Sequence, residues 1–174
     1  MSGARIEDGP RIREIILDRP RVNALDAPTL TTLARAFEQA SVDPRIDAVL
    51  LRAEGTCFSA GLDLRVVVAL DERGMSEFLD VLDRCFRALL CCPKPVAAAV
   101  GGHAIAGGLL LAMGADHFVL GAGNYKLGLT ELQVGIPFPR VAWEIAQLAL
   151  GPRALRDVVY GANLFGPTEG FELG

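Results

Sequence analysis

The segment AVGGHAIAGGLLLAMGAD, residues 99–116, limits what this chain can become. A glycine-rich turn at 101–108 runs straight into an apolar stretch, 109–113, that carries no charge and no nucleophile. The turn exposes backbone amides, and no side chain beside it can react. PVAAAV, residues 95–100, precedes it and reads as a short buried strand of small side chains. IREIIL at 12–17 alternates like a strand, and the next segment opens a helix capped by Asp26 with Pro28 in its first turn. IDAVLLR at 46–52 reads as a buried strand running into the loop AEGTCFSAGLDL. A helix follows over about 76–90, with Phe78, Leu79, Leu82, Cys85, Phe86 and Leu89 on one stripe. HFVLG and YKLG read as short strands, and PRVAWEIAQLAL and PRALRDVVYG as helices, the second between Pro152 and Gly161. The repeated order of strand and helix argues for an α/β architecture.

Composition removes several function classes. Half of the 174 residues are apolar (51%) and 22% are charged, so the chain is globular. Seventeen basic against 21 acidic residues leave a net charge of −4, and no basic run interleaves with aromatics, so no nucleic-acid partner is expected. No window reaches the roughly 18 uninterrupted apolar residues of a membrane span, and MSGARIEDGP lacks the apolar core of a leader. A cytoplasmic, unexported protein is the expectation. Cys57, Cys85, Cys91 and Cys92 fit neither a zinc site nor a disulfide framework and read as buried reduced thiols, and no metal is expected.

The glycine turn is no phosphate cradle, because Leu109 and Leu110 stand where a Walker loop needs Lys and Ser/Thr. GAGNYKLG has the wrong spacing for a dinucleotide fingerprint. Ser59 has no base in a recognisable triad, since His103 and His117 are the only histidines, and it reads as structural. Two glycine loops remain, FSAGLDL and HAIAGG, each placed after a buried strand. Together they can aim two backbone N–H groups at one oxygen, the geometry of an oxyanion hole. Between residues 93 and 140 the only carboxylates are Asp116 and Glu131. Glu131 sits among apolar neighbours in GLTELQVGIP, where desolvation favours a proton-carrying role, with an exposed helix-start glutamate as the alternative.

RPRVNALD, FSAGLDL, KPVAAAVGGHAIAGG and GLTELQVGIP, in this order and spacing, resemble the crotonase superfamily of enoyl-CoA hydratases and isomerases. The resemblance implies a spiral of β-β-α turns in one domain over 1–174, with the family's C-terminal helical part largely absent, and a homotrimer or hexamer. It implies an acyl-CoA thioester substrate, with CoA as part of that substrate and no separate cofactor. The N–H groups of Leu62 and Gly107 would form the oxyanion hole. Ala60, Gly61, Leu62, Asp63 and Leu64 would line the adenine and pantetheine path, Arg65 would meet the CoA phosphates, and Arg21, Val22 and Ala24 would touch CoA from the other side. His103 falls on a variable position and reads as structural.

One departure directs the expected chemistry. Hydratases of the family carry two glutamates; the first falls on Leu110 and only the second, Glu131, is retained. FSAGLDL and GLTELQ are most similar to the mitochondrial type of 3,2-enoyl-CoA isomerase. The expected reaction is therefore a shift of the 3-enoyl-CoA double bond to trans-2-enoyl-CoA, with Glu131 as the single acid and base. Hydration and an inactive CoA-binding or assembly subunit are the alternatives.

Overall fold

The computed structural model describes residues 3–173. The first strand, β1 (Ala4–Asp8), forms a tight antiparallel hairpin with β2 (Ile12–Leu17). Every later strand pairs parallel. The helix α1 (Ala27–Val42) begins where expected, with the Asp26 carboxylate accepting from Thr29 N. Then come β3 (Ala48–Ala53), β4 (Cys57–Ser59), the single turn α2 (Leu64–Val67) and the long helix α3 (Glu72–Leu90). The strands β5 (Val96–Val100) and β6 (His103–Ile105) lead into α4 (Gly107–Met113). Next, β7 (His117–Leu120) and β8 (Leu127–Gly128) lead into a 3-10 turn at Glu131–Val134. The chain continues through α5 (Arg140–Ala149), α6 (Pro152–Leu155), a π-helical turn at Arg156–Tyr160 and α7 (Pro167–Leu173).

Two sheets organise these elements. One has five strands in the order β1-β2-β3-β5-β7, and the other is parallel with the order β4-β6-β8. The chain crosses from the first sheet to the second three times, at β3–β4, β5–β6 and β7–β8, and after each crossing it turns into helix. This is the expected spiral of β-β-α turns. Its core joins Ile15, Leu17 and Leu51 of the large sheet to Leu33 and Phe37 of α1 and Phe86 of α3, all nearly inaccessible to solvent.

Several details differ from the sequence expectation. The loop after β3 contains a strand, β4, and HAI within the glycine turn is another, β6; three residues are too few for periodicity to register. The second long helix starts at Glu72, earlier than expected, because the Asp71 carboxylate accepts from Gly74 N at 2.7 Å. Only Cys57 and Cys85 are buried; Cys92 is half-buried and Cys91 is exposed at the end of α3. Burial pushes both buried thiols up, Cys85 to about 12, so neither is a thiolate at neutral pH.

Asn23 fixes the segment before α1. Its Oδ1 accepts from Arg19 N at 2.7 Å, and its Nδ2 donates to Cys57 O at 2.7 Å and Glu54 O at 3.1 Å. Its φ of 49° lies in the left-handed region, which asparagine tolerates better than alanine. Asn23→Ala should therefore lose about 2–4 kcal/mol of stability in urea unfolding, and Asn23→Gly about 1 kcal/mol less because glycine carries no left-handed penalty. Equal losses would remove the backbone component.

Candidate active site

The three strands β4, β6 and β8 run parallel, so their C-terminal ends lie together. Each delivers a distinct group just past its end: β4 leads to Leu62, β6 to Gly107, and β8 to Glu131. Residues 22–25 run beside the continuation of β4. Ala60 N donates to Val22 O at 2.9 Å, Leu25 N to Gly61 O at 2.8 Å, and Asp63 N to Leu25 O at 2.9 Å. The Gly61 carbonyl and the Leu62 N–H belong to one peptide group and point in opposite directions. With the carbonyl held by Leu25, the Leu62 N–H faces the other neighbour, which is β6 and the start of α4.

Gly61 is glycine for two reasons. Its φ is +83°, and a Cβ there would stand 3.0 Å from Gly107 N and 2.9 Å from Ile105 O. On the opposite side, Ala106 adopts φ 51° and ψ −126°, a strained conformation for alanine that turns the chain from β6 into α4 at Gly107. Among the described residues, neither Leu62 N nor Gly107 N has a protein acceptor. Two unused amide donors that converged on one point could hold an oxygen that gains negative charge.

Both residues line an open cleft of about 700 Å³ including its mouth. Leu82 and Phe86 of α3, Leu110 of α4, and Val141 and Ala142 of α5 supply apolar walls. Among the described residues, Glu131 is the only titratable side chain in the lining. It is 8% exposed, and its Oε2 has no hydrogen-bond partner among the described residues. Desolvation pushes its carboxyl above the ordinary range, opposed by a hydrogen bond from its own backbone. The exposed helix-start alternative does not hold. Leu110 lies in the same lining and offers no proton.

The expected residues thus separate into groups. Ala60, Leu62, Leu64, Gly107 and Glu131 meet at the cleft. Val22 and Ala24 belong to the segment beside β4, where Val22 O takes the Ala60 N–H and Ala24 O accepts from Arg19. The Asp63 carboxylate is occupied: it accepts from Arg19 Nη2 at 2.7 Å and caps α2, and Arg19 holds it below the usual carboxylate range. Arg21 and Arg65 are exposed, outside the cleft lining, and without a carboxylate partner among the described residues. Ser59 is fully buried and hydrogen-bonded, and His103 Nδ1 accepts from Lys126 N. The sequence reading missed Leu82 and Phe86 as cleft walls, because a helical apolar stripe looks the same whether it meets a core or a pocket.

Residues 7–174 match the family model described as enoyl-CoA hydratase/isomerase. The chain belongs to this family. It is 29% identical over 171 residues to a crotonyl-CoA hydratase of Syntrophomonas wolfei, covering 97% of this chain and 65% of that protein. It is 28% identical over 172 residues to an enoyl-CoA isomerase/hydratase of Mycosarcoma maydis, covering 94% of this chain and 63% of the relative. The chain thus spans just under two thirds of the length of each. An enoyl-CoA hydratase/carnithine racemase from Magnetospirillum magneticum superposes with a TM-score of 0.92 at 27% identity, over 99% of this chain and 66% of that one. Among the described residues, no helix is long and apolar enough to cross a membrane.

The burial of Glu131 predicts a pH-dependent stability difference. A carboxyl whose pKa rises on folding binds protons more tightly in the folded state, so its contribution is favourable at low pH and is lost as pH rises through the folded value. Glu131→Gln cannot ionise and should unfold at higher denaturant than the wild type at neutral pH, with the difference shrinking as pH falls into the ordinary carboxylate range. A pH-independent difference would contradict this environment.

Proposed function

We propose that this protein is an acyl-CoA enzyme that moves a carbon–carbon double bond from the 3,4 to the trans-2,3 position. The reading rests on one observation: among the described residues, Glu131 is the only titratable group lining a cleft that also presents two unused backbone donors. The thioester carbonyl lies between Leu62 N and Gly107 N. The ionised Glu131 carboxylate takes a proton from C2, the negative charge passes to the carbonyl oxygen, and the two N–H groups hold the resulting dienolate. The same carboxyl then returns the proton at C4, leaving the double bond between C2 and C3. Desolvation suits Glu131 to both steps, since it strengthens the base without requiring a second group. Water must be excluded, and the apolar walls around Leu110 support that.

Arg21 and Arg65, exposed and free of carboxylates, are the groups we assign to the CoA phosphates. The exposed apolar side chains of Val119, Leu148 and Phe171 support self-association of the chain.

Hydration is the second reading, favoured by the name of the Syntrophomonas wolfei relative. It needs a group to orient water as well as Glu131, and Leu110 does not provide one. The two readings separate in one assay. The wild type should convert a 3-enoyl-CoA to the trans-2-enoyl-CoA much faster than it hydrates crotonyl-CoA, and Glu131→Gln should lower isomerisation by about 10²–10⁴-fold. The acid limb of kcat/KM should lie above the ordinary carboxylate range, because the ionised base is required and its pKa is raised. Brisk hydration by the wild type would favour the second reading. CoA-thioester binding with neither reaction would reduce the protein to a binding subunit.

A further inference from the structure

Ser59 has a side chain that the reaction as described does not use. It is completely buried at the end of β4, three residues before one amide donor. Its hydroxyl donates to Asn23 O at 2.8 Å and accepts from Gly61 N at 3.1 Å. The acceptor at Asn23 is itself immobilised by the side-chain bonds to Arg19, Glu54 and Cys57.

These bonds end on the Ala60–Gly61 peptide, the one immediately before the peptide that carries the Leu62 N–H. Gly61 precedes it in a left-handed conformation that glycine can leave easily in several directions. The peptide before Gly61 is held at its N–H by Ser59, and the peptide after it is held at its carbonyl by Leu25 N. With the preceding peptide pinned at its N–H and its own carbonyl held by Leu25, the 61–62 peptide has one orientation, and so does its N–H.

The second donor rests on the same residue. A Cβ on Gly108 would lie 2.2 Å from Ser59 O and 2.7 Å from Ser59 Cβ, so the first turn of α4 sits directly against Ser59. Gly107, which lines the cleft, is the residue immediately before that contact. Ser59 therefore touches the supports of both donors, through its hydroxyl on one side and its backbone on the other.

We propose that Ser59 is a positioning residue for the reaction: its hydroxyl fixes the Ala60–Gly61 peptide, and through it the aim of the next peptide, so that the Leu62 N–H and the Gly107 N–H meet the same thioester oxygen. The inference rests on the oxyanion role assigned above to these amides. Ser59 touches no reacting atom. It acts on the aim of a donor, and a donor misplaced by a fraction of an ångström loses more of its stabilisation of the developing charge than of its hold on the ground-state thioester.

Ser59→Ala removes the hydroxyl and leaves the Gly61 N–H without its acceptor. The expected result is a fall in kcat of about 10- to 100-fold with KM within about twofold of the wild type. A conjugated aryl-enoyl-CoA, whose absorption moves to longer wavelength when its carbonyl is polarised, supplies an independent readout. The wild type should red-shift this probe on binding and Ser59→Ala should do so less. Ser59→Cys occupies nearly the same space with a weaker donor and acceptor; it should fall between them in both kcat and red shift, and it carries the test if the alanine variant does not fold. Wild-type kcat and an undiminished red shift in a folded Ser59→Ala would overturn the proposal. So would a uniform loss, with melting temperature, KM and kcat deteriorating together and Ser59→Cys no better than Ser59→Ala, which assigns the hydroxyl to folding alone. A wild type that binds the probe with no red shift fails at an earlier point, removing the oxyanion reading and this proposal with it.

Discussion

Parallel strands cannot be joined by a two-residue turn, so each of the short strands β4, β6 and β8 is reached by a crossing from the larger sheet and left through a helix or helical turn. The consequence is geometric. All three strands end on one side, and whatever follows each of them is brought to the same place, however far apart in sequence. Leu62, Gly107 and Glu131 share a cleft for this reason. The same arrangement governs ligand sites in other open parallel sheets, where the crevice beyond the carboxyl ends of the strands is the place that loops can shape without disturbing the core.

Strand pairing alone does not orient the amides. The chain around them is held by Asn23 in the left-handed region with its side-chain amide hydrogen-bonded at both ends, by Ser59 between it and Gly61, and by Ala106 in a conformation alanine rarely adopts. Strain at Ala106 and close approach at Gly61 are local costs that the surrounding ladder of backbone hydrogen bonds offsets. The chemistry then requires little of the side chains. In the proposed reaction two N–H groups handle the charge, one desolvated carboxyl handles the proton, and the remaining walls keep water out.

Much of this was legible in the sequence, for identifiable reasons. Gly107 and Glu131 stand in motifs whose composition is odd for a core: open glycine turns beside an apolar helix, and a carboxylate between leucines. The family resemblance added their order and spacing. What escaped the reading lies below the resolution of pattern. The strands β4 and β6 are three residues long, too short for an alternation to be seen. Leu82 and Phe86 fit a helical stripe equally well as core or as cleft wall. Asp63 lies in a motif expected to line a ligand path, yet Arg19, 44 positions earlier, occupies its carboxylate, a pairing that only the tertiary structure reveals. Cys91 and Cys92 are adjacent in sequence to a buried stripe but fall at the end of α3, where the helix emerges into solvent.

The proposed chemistry depends on where an acyl group lies relative to three atoms. A crystal structure with a saturated, unreactive acyl-CoA bound tests this most directly. The thioester oxygen should lie about 2.7–3.1 Å from both Leu62 N and Gly107 N, with C2 of the acyl chain facing the Glu131 carboxyl. A carbonyl bound elsewhere in the cleft, or a C2 turned away from Glu131, would contradict the account.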